Sequence, residues 1–248
     1  MIRSAVRRLG ILKGWRAAEE ERAVDLEPEF WPLHDACKHA TMTSTERLYA
    51  LYKAVEYIVG HEIAGDFVEC GVWRGGSVMM MALALQRFGA RRMIHCFDTF
   101  EGMPSPGSAD IRHETGENAA SILARTPKRD GDYLWAVAGL HLVKQNVEST
   151  GYPTDLVSYH RGRVEETIPV EAPEVISILR LDTDWYESTR HELSHLYPRL
   201  ASGGILIIDD YGFWRGARKA TDEYMAERAR NLFLSRIDET GRIGVKVS

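Results

Sequence analysis

The chain of 248 residues is 44% hydrophobic and 27% charged, with 31 Lys plus Arg against 36 Asp plus Glu and a formal net charge of -5. These values exclude a disordered, collagenous or disulfide-scaffold protein and fit one α/β unit able to bury a sizeable core. They also exclude nucleic acid as the expected partner, because neutralising several phosphates needs a concentrated basic face.

Residues 1–40 read as an N-terminal arm. Arg3, Arg7 and Arg8 make its start basic, but the apolar run 9–12 is too short for a signal peptide and Lys13 interrupts it. No segment approaches the roughly 20 apolar residues that cross a bilayer, so no membrane span is expected. Phe30, Trp31 and Leu33 are read as rings and side chains that cover a second subunit, which makes a homodimer the expected assembly. Cys37, Cys70 and Cys96 show neither CxxC nor zinc-type spacing, a pattern that suits reduced thiols and a cytoplasmic location.

From residue 41 strands and helices alternate to the end of the chain. Leu48, Leu51, Val55 and Ile58 recur at the spacing of one helical face and predict a helix over 43–60, capped by Thr43 or Ser44. Residues 65–72 predict a buried strand that ends in a turn of Gly71, Gly75 and Gly76, followed by a helix over 77–88. A second strand, 93–98, runs into a Gly- and Pro-rich loop, and the stretch around 101–132 is read as a lid or substrate wall inserted in the domain. A helix through Val137, Leu140, Val143 and Val147 follows, then strands over 156–160, 176–181 and 204–208, with Ser202-Gly203-Gly204 read as a helix C-cap. The last two runs are almost continuously apolar, as in strands covered on both faces. Helices over 187–200 and 215–228 precede a terminal hairpin, 232–237 with 243–247. Five β-α units and a hairpin predict a mostly parallel seven-stranded sheet, helices on both faces, and ligands at the carboxyl ends of the strands.

Two groups of residues at those strand ends carry chemistry. In the turn from Glu69 to Ser77 the glycines allow close approach of a ligand, and free N–H groups at the helix start, with the Ser77 hydroxyl, suit an anion. A tight turn with no ligand is the alternative, since the GxGxxG spacing is missing. Asp98, at the end of the next strand, stands where an acid accepts hydrogen bonds from ribose hydroxyls, or where it simply caps a turn. The second group is Asp182, Asp184, Asp209 and Asp210, which end two neighbouring strands. Carboxylates this close cannot all stay ionised without a cation or proton uptake, and an all-oxygen set suits Mg²⁺. Asp182-Thr183-Asp184 also reads as the metal-binding DxD of a nucleotide-sugar glycosyltransferase, which would leave the Glu69–Ser77 turn without a role. His191 and His195, four apart on a helix, lack a third ligand and read as helix surface.

Four segments in order then resemble one family. They are Asp66-Phe67-Val68-Glu69-Cys70-Gly71-Val72-Trp73-Arg74-Gly75-Gly76, Phe97-Asp98-Thr99-Phe100-Glu101-Gly102-Met103-Pro104, Leu181-Asp182-Thr183-Asp184-Trp185-Tyr186-Glu187-Ser188-Thr189, and Ile208-Asp209-Asp210-Tyr211-Gly212. The chain from about Thr41 onward resembles the macrocin O-methyltransferases, class I enzymes with a Rossmann-like fold that methylate sugars using S-adenosylmethionine and magnesium. The resemblance implies that Glu69, Gly71 and Ser77 hold the methionine end of the cofactor and Asp98 its ribose. It implies further that Gly162, Arg163 and Val164 flank the adenine, while Met42 closes over the cofactor. Asp182, Asp209 and Asp210 resemble the magnesium ligands, which gives Asp182 a direct part in catalysis, and Asp184 matches the general base. The implied acceptor is a sugar, free, in an oligosaccharide or in a glycosylated natural product, with a catechol-type phenol as the other bidentate possibility.

Overall fold

The computed structural model describes residues 23, 25–129, 133–228 and 232–247. The basic start of the arm, including Arg3, Arg7 and Arg8, lies outside the described residues. Among those described, β1 (Asp66–Cys70), β2 (Ile94–Asp98), β3 (Val157–Arg161), β4 (Ile176–Leu181) and β5 (Leu200–Ile208) are followed by β6 (Leu232–Arg236) and β7 (Arg242–Lys246). They form one sheet in the order β3-β2-β1-β4-β5-β7-β6. β1 to β5 run parallel, while β7 is antiparallel to both β5 and β6, giving the expected α/β sheet with its closing hairpin. The order reverses between β1 and β4, and an open parallel sheet binds ligands at such a reversal, outside the carboxyl ends of the strands.

The helices are α1 (Phe30–Cys37), α2 (Thr45–Gly60), α3 (Gly76–Arg87), α4 (Ala119–Ala124), α5 (Leu140–Glu148), α6 (Val164–Thr167), α7 (Tyr186–Leu196) and α8 (Arg215–Arg228). Alternate strand residues feed two cores, as a period of two requires. Phe67, Ile178 and Ile205 join one with Val55, Met80 and Leu85 of α2 and α3, whereas Val68, Leu179 and Leu206 join the other with Leu193 and Tyr224 of α7 and α8. Met79, Met80 and Met81 are buried helix core. Ser44 is the cap of α2, its side chain accepting from the Arg47 N–H at 3.2 Å.

Two expectations change. Phe30 and Trp31 are buried in this chain's own core, with the Phe30 ring 5.5 Å from Trp31 and 5.6 Å from Tyr52. These rings are thus part of the domain, Phe30 packed against Tyr49 and Tyr52 of α2, and the fold includes residues before 41. Ser202-Gly203-Gly204 lies inside β5, not at a helix end. Ile176 pairs with Leu200 and Ile178 with Ile205, so β5 carries extra residues in an irregularity where Gly203 adopts φ 78°. A local sequence reading sees a glycine pair after a helix and has no access to that register.

The stretch after β2 is fastened to the carboxyl end of the sheet. Asp110 is fully buried; its Oδ1 accepts from the Tyr186 N–H at 2.8 Å, its Oδ2 from the Gly107 N–H at 2.7 Å, and its carbonyl from the Ala119 N–H at 2.8 Å. The carboxylate therefore satisfies an orphan donor of the first turn of α7 and ties that helix to the inserted segment. Ile122 and Leu123 of α4 then pack with Trp185, Trp214 and Ala217 in a third apolar cluster.

Candidate active site

All the residues singled out from the sequence come together at the reversal point. Met42, Glu69, Gly71, Ser77, Asp98, Gly162, Arg163, Val164, Asp182, Asp184, Asp209 and Asp210 line one cavity of about 450 Å³. Its base is the β1–α3 turn. Gly71 adopts φ 83°, and a Cβ there would lie 1.9 Å from the Asp182 carbonyl oxygen, so β1 and β4 can end this close together only with glycine. Gly76 at the start of α3 is equally confined, since a Cβ would meet the Thr41 side chain at 2.5 Å. That contact brings the segment holding Met42 over the cavity.

Asp98 organises this turn. Its Oδ2 accepts from the N–H groups of Val72 at 2.7 Å and Trp73 at 3.1 Å, and its Oδ1 accepts from the Phe100 N–H at 2.7 Å. Burial pushes its pKa up, and these backbone donors oppose the shift. A carboxylate has about four acceptor positions. With the Thr99 hydroxyl also 3.5 Å from Oδ1, Asp98 fixes the loop at the wall of the cavity that it lines.

On the opposite side the acids gather. Asp182, Asp209 and Asp210 each offer an oxygen, all within 4.8 Å of one another. Burial, reinforced by Asp184 and Asp182, raises Asp210 well above the carboxylate range, and its Oδ2 is buried with no hydrogen-bond partner. Asp209 is pushed up by burial and by Asp182, opposed by Arg180 and Arg47. Asp184 has φ 67°, uncommon for a residue with a side chain, and its Oδ1 accepts from the Trp214 Nε1–H at 2.7 Å. Burial and then the Asp182 charge raise its pKa well above normal, with the Trp214 bond pulling the other way.

Two arginines escaped the sequence reading. Arg180, only 2% exposed, bonds Glu69, Asp182 and Asp209, while Arg47 from α2 pairs with Asp209 and with Asp238 of the β6–β7 turn. A cation inside the apolar run Ile176–Leu181 was the available signal for Arg180. For Arg47, one of several charges on a helix, there was none. Even so, Glu69, Asp182, Asp184, Asp209 and Asp210 outnumber the guanidiniums that reach them.

The donor set tests what the site can hold. Three clustered carboxylates, one with an orphaned buried oxygen, and no sulfur or imidazole among them suit a hard divalent cation such as Mg²⁺. Glu69 Oε2 is likewise buried and unpartnered, and burial raises the Glu69 pKa to about 8 against the pull of Arg180. An ammonium group placed in the cavity would satisfy that oxygen. One part of the wall, Met103, Pro104, Trp185, Phe213 and Trp214, is apolar and aromatic and adjoins Asp184.

The macrocin-O-methyltransferase (TylF) family profile matches residues 13–243. The chain belongs to the macrocin O-methyltransferase family. It is similar to an 8-demethyl-8-(2,3-dimethoxy-alpha-L-rhamnosyl)-tetracenomycin-C 4'-O-methyltransferase of Streptomyces olivaceus, at 35% identity over 81% of this chain and 73% of the relative. It is also similar to the demethyldecarbamoylnovobiocin O-methyltransferase of Streptomyces niveus, at 31% identity over 75% of this chain and 68% of the relative. Among solved structures, the O-methyltransferase NovP superposes with a TM-score of 0.73 at 31% identity, over 84% of this chain and 83% of that one. This macrocin O-methyltransferase family member is accordingly an O-methyltransferase with the class I fold. Among its described residues no helix is long and apolar enough to cross a membrane, and Cys37, Cys70 and Cys96 are unpaired and buried.

Proposed function

We propose that the protein transfers a methyl group from S-adenosylmethionine to a hydroxyl of a sugar carried by a glycosylated natural product, with Mg²⁺ at Asp182, Asp209 and Asp210 and Asp184 as the base. The observation that carries this reading is the meeting, in one cavity, of the confined β1–α3 turn with the acid cluster. A glycosyltransferase would need the acids alone. The rhamnosyl group in the name of the Streptomyces olivaceus relative supports a sugar acceptor.

Each residue is given a part that its place on the cavity wall allows. Glu69 takes the ammonium of the methionine end on its free Oε2, with Gly71 and Ser77 beside it. Asp98 receives a ribose hydroxyl in place of the long 3.5 Å contact from the Thr99 hydroxyl, Gly162, Arg163 and Val164 flank the adenine, and Met42 lies over the donor. When bound, the cation lowers the proton affinity of the acceptor hydroxyl. Asp184 takes that proton: Trp214 pins Oδ1 and leaves Oδ2 for it, and a carboxylate with a raised pKa is the stronger base once ionised. The aromatic wall and the inserted segment anchored by Asp110 exclude water and orient the acceptor, which places the reacting oxygen at near-attack distance.

Thermal unfolding separates this reading from the glycosyltransferase one, because only a ligand of the native state stabilises it. S-adenosylhomocysteine at 100 times its Kd is expected to add about 2.7 kcal/mol and raise Tm, whereas uridine and thymidine diphosphate sugars leave it unchanged. A shift with the sugar nucleotides alone would transfer the site to glycosyl chemistry.

A further inference from the structure

Arg180 stands across from Glu69 in the β1–β4 register and is buried behind the cavity-lining acids Glu69, Asp182 and Asp209. Its Nη1 donates to Glu69 Oε1 at 2.6 Å and to Asp182 Oδ2 at 2.7 Å. Its Nη2 donates to Asp209 Oδ1 at 2.5 Å and to Thr43 Oγ1 at 2.9 Å. The four η hydrogens are therefore divided evenly. Two go to Glu69 and to Thr43 of the segment that carries Met42, whose hydroxyl in turn donates to Asp209 Oδ1 at 3.3 Å, and two go to acids of the cation site. A guanidinium is a rigid planar fork, so partners held by it are fixed relative to one another.

We propose that Arg180 is a positioning residue that couples the two halves of the site, so that a divalent cation at the acids tightens Glu69 and Thr43 around the methyl donor. This inference rests on the methyl-transfer reading above. Its physical basis is competition for the Arg180 guanidinium, which Glu69 and Asp182 share with Asp209, the acid that Arg47 also pairs. In the absence of a cation Arg180 compensates Glu69, Asp182 and Asp209 together, and each bond is weakened by the others. A cation that compensates Asp182 and Asp209 returns the guanidinium to Glu69 and Thr43. Linkage then requires the donor to strengthen cation binding by the same factor. Charge neutralisation alone would not need the fork, and a lysine ammonium would supply it.

Calorimetric titration of S-adenosylhomocysteine into the chelator-treated full-length protein, with and without Mg²⁺, reads the coupling without any turnover. In the wild type Mg²⁺ is expected to raise the affinity about tenfold, inside the usual range for linked sites. Arg180→Lys keeps the charge and is expected to bind S-adenosylhomocysteine with a Mg²⁺ ratio of about one. Should that variant fail to fold, Thr43→Val carries the test, since it removes one donor-side partner of the fork, and a reduced ratio is expected there too. An undiminished Mg²⁺ effect in the folded variants, or no Mg²⁺ effect in a wild type that binds both ligands separately, overturns the coupling. A wild type that never binds S-adenosylhomocysteine overturns the methyl-donor reading, and the coupling falls with it.

Discussion

Asp184→Asn is expected to keep its affinity for S-adenosylhomocysteine and to lose about 10²- to 10⁴-fold in methyl transfer, the usual contribution of a positioned general base. The amide preserves the shape of the side chain and still offers an oxygen to the Trp214 Nε1–H, which donates to Asp184 Oδ1 at 2.7 Å. What it loses is the capacity to take a proton. Stability should not fall, because burial and the Asp182 charge already disfavour the ionised carboxylate at this position. An unchanged or raised Tm, together with the lost turnover, would separate a chemical defect from a folding defect. Wild-type turnover in Asp184→Asn would remove Asp184 from the mechanism.

The second large effect is at Gly71. An alanine there must hold φ 83° and place its Cβ 1.9 Å from the Asp182 carbonyl oxygen, which belongs to the backbone and has no rotamer to escape into. Either β1 and β4 separate at their carboxyl ends or the turn refolds, and both displace Glu69 from Arg180 and Asp182 from Asp209. Gly71→Ala is therefore expected to cost about 4 kcal/mol or more in denaturant unfolding, in the range reserved for backbone conflict in a core. Gly60→Ala is the matched control. A Cβ at Gly60, the last residue of α2, meets nothing within 4 Å, and alanine there should be neutral or stabilising by up to about 1 kcal/mol. Equal unfolding midpoints for the two variants would contradict the close approach of the strands.

The contrast between these two glycines shows which parts of the molecule could be read in advance. Gly71 follows a strand and precedes a helix, so its turn was legible from local order alone. The acids at 182, 184, 209 and 210 were legible for a related reason: each ends an apolar run, and a parallel sheet brings such ends to one rim. Partnerships that depend on long-range register were not. Arg180 interrupts the apolar run of β4, yet nothing local says that Glu69, Asp182, Asp209 and Thr43 will share it. Asp110 sits in a polar stretch with weak periodicity, and its value lies in the Tyr186 and Gly107 N–H groups that the fold delivers to it. Phe30 and Trp31 show the same dependence on long-range packing. Apolar residues ahead of the first clear β-α unit suggested a subunit contact, but α1 folds back and buries both rings in the chain's own core. Ser202-Gly203-Gly204 misled because a glycine pair has the same composition at a helix end and in an irregular strand.

Transfer of labelled methyl from S-adenosylmethionine to a panel of glycosides, run with Mg²⁺ and again after chelation, tests the central claim most directly. The account predicts label in a sugar hydroxyl of the accepted glycoside, dependent on Mg²⁺ and absent from the analogue that lacks that hydroxyl. Transfer at the same rate after chelation, or label on a nonsugar position, would contradict it.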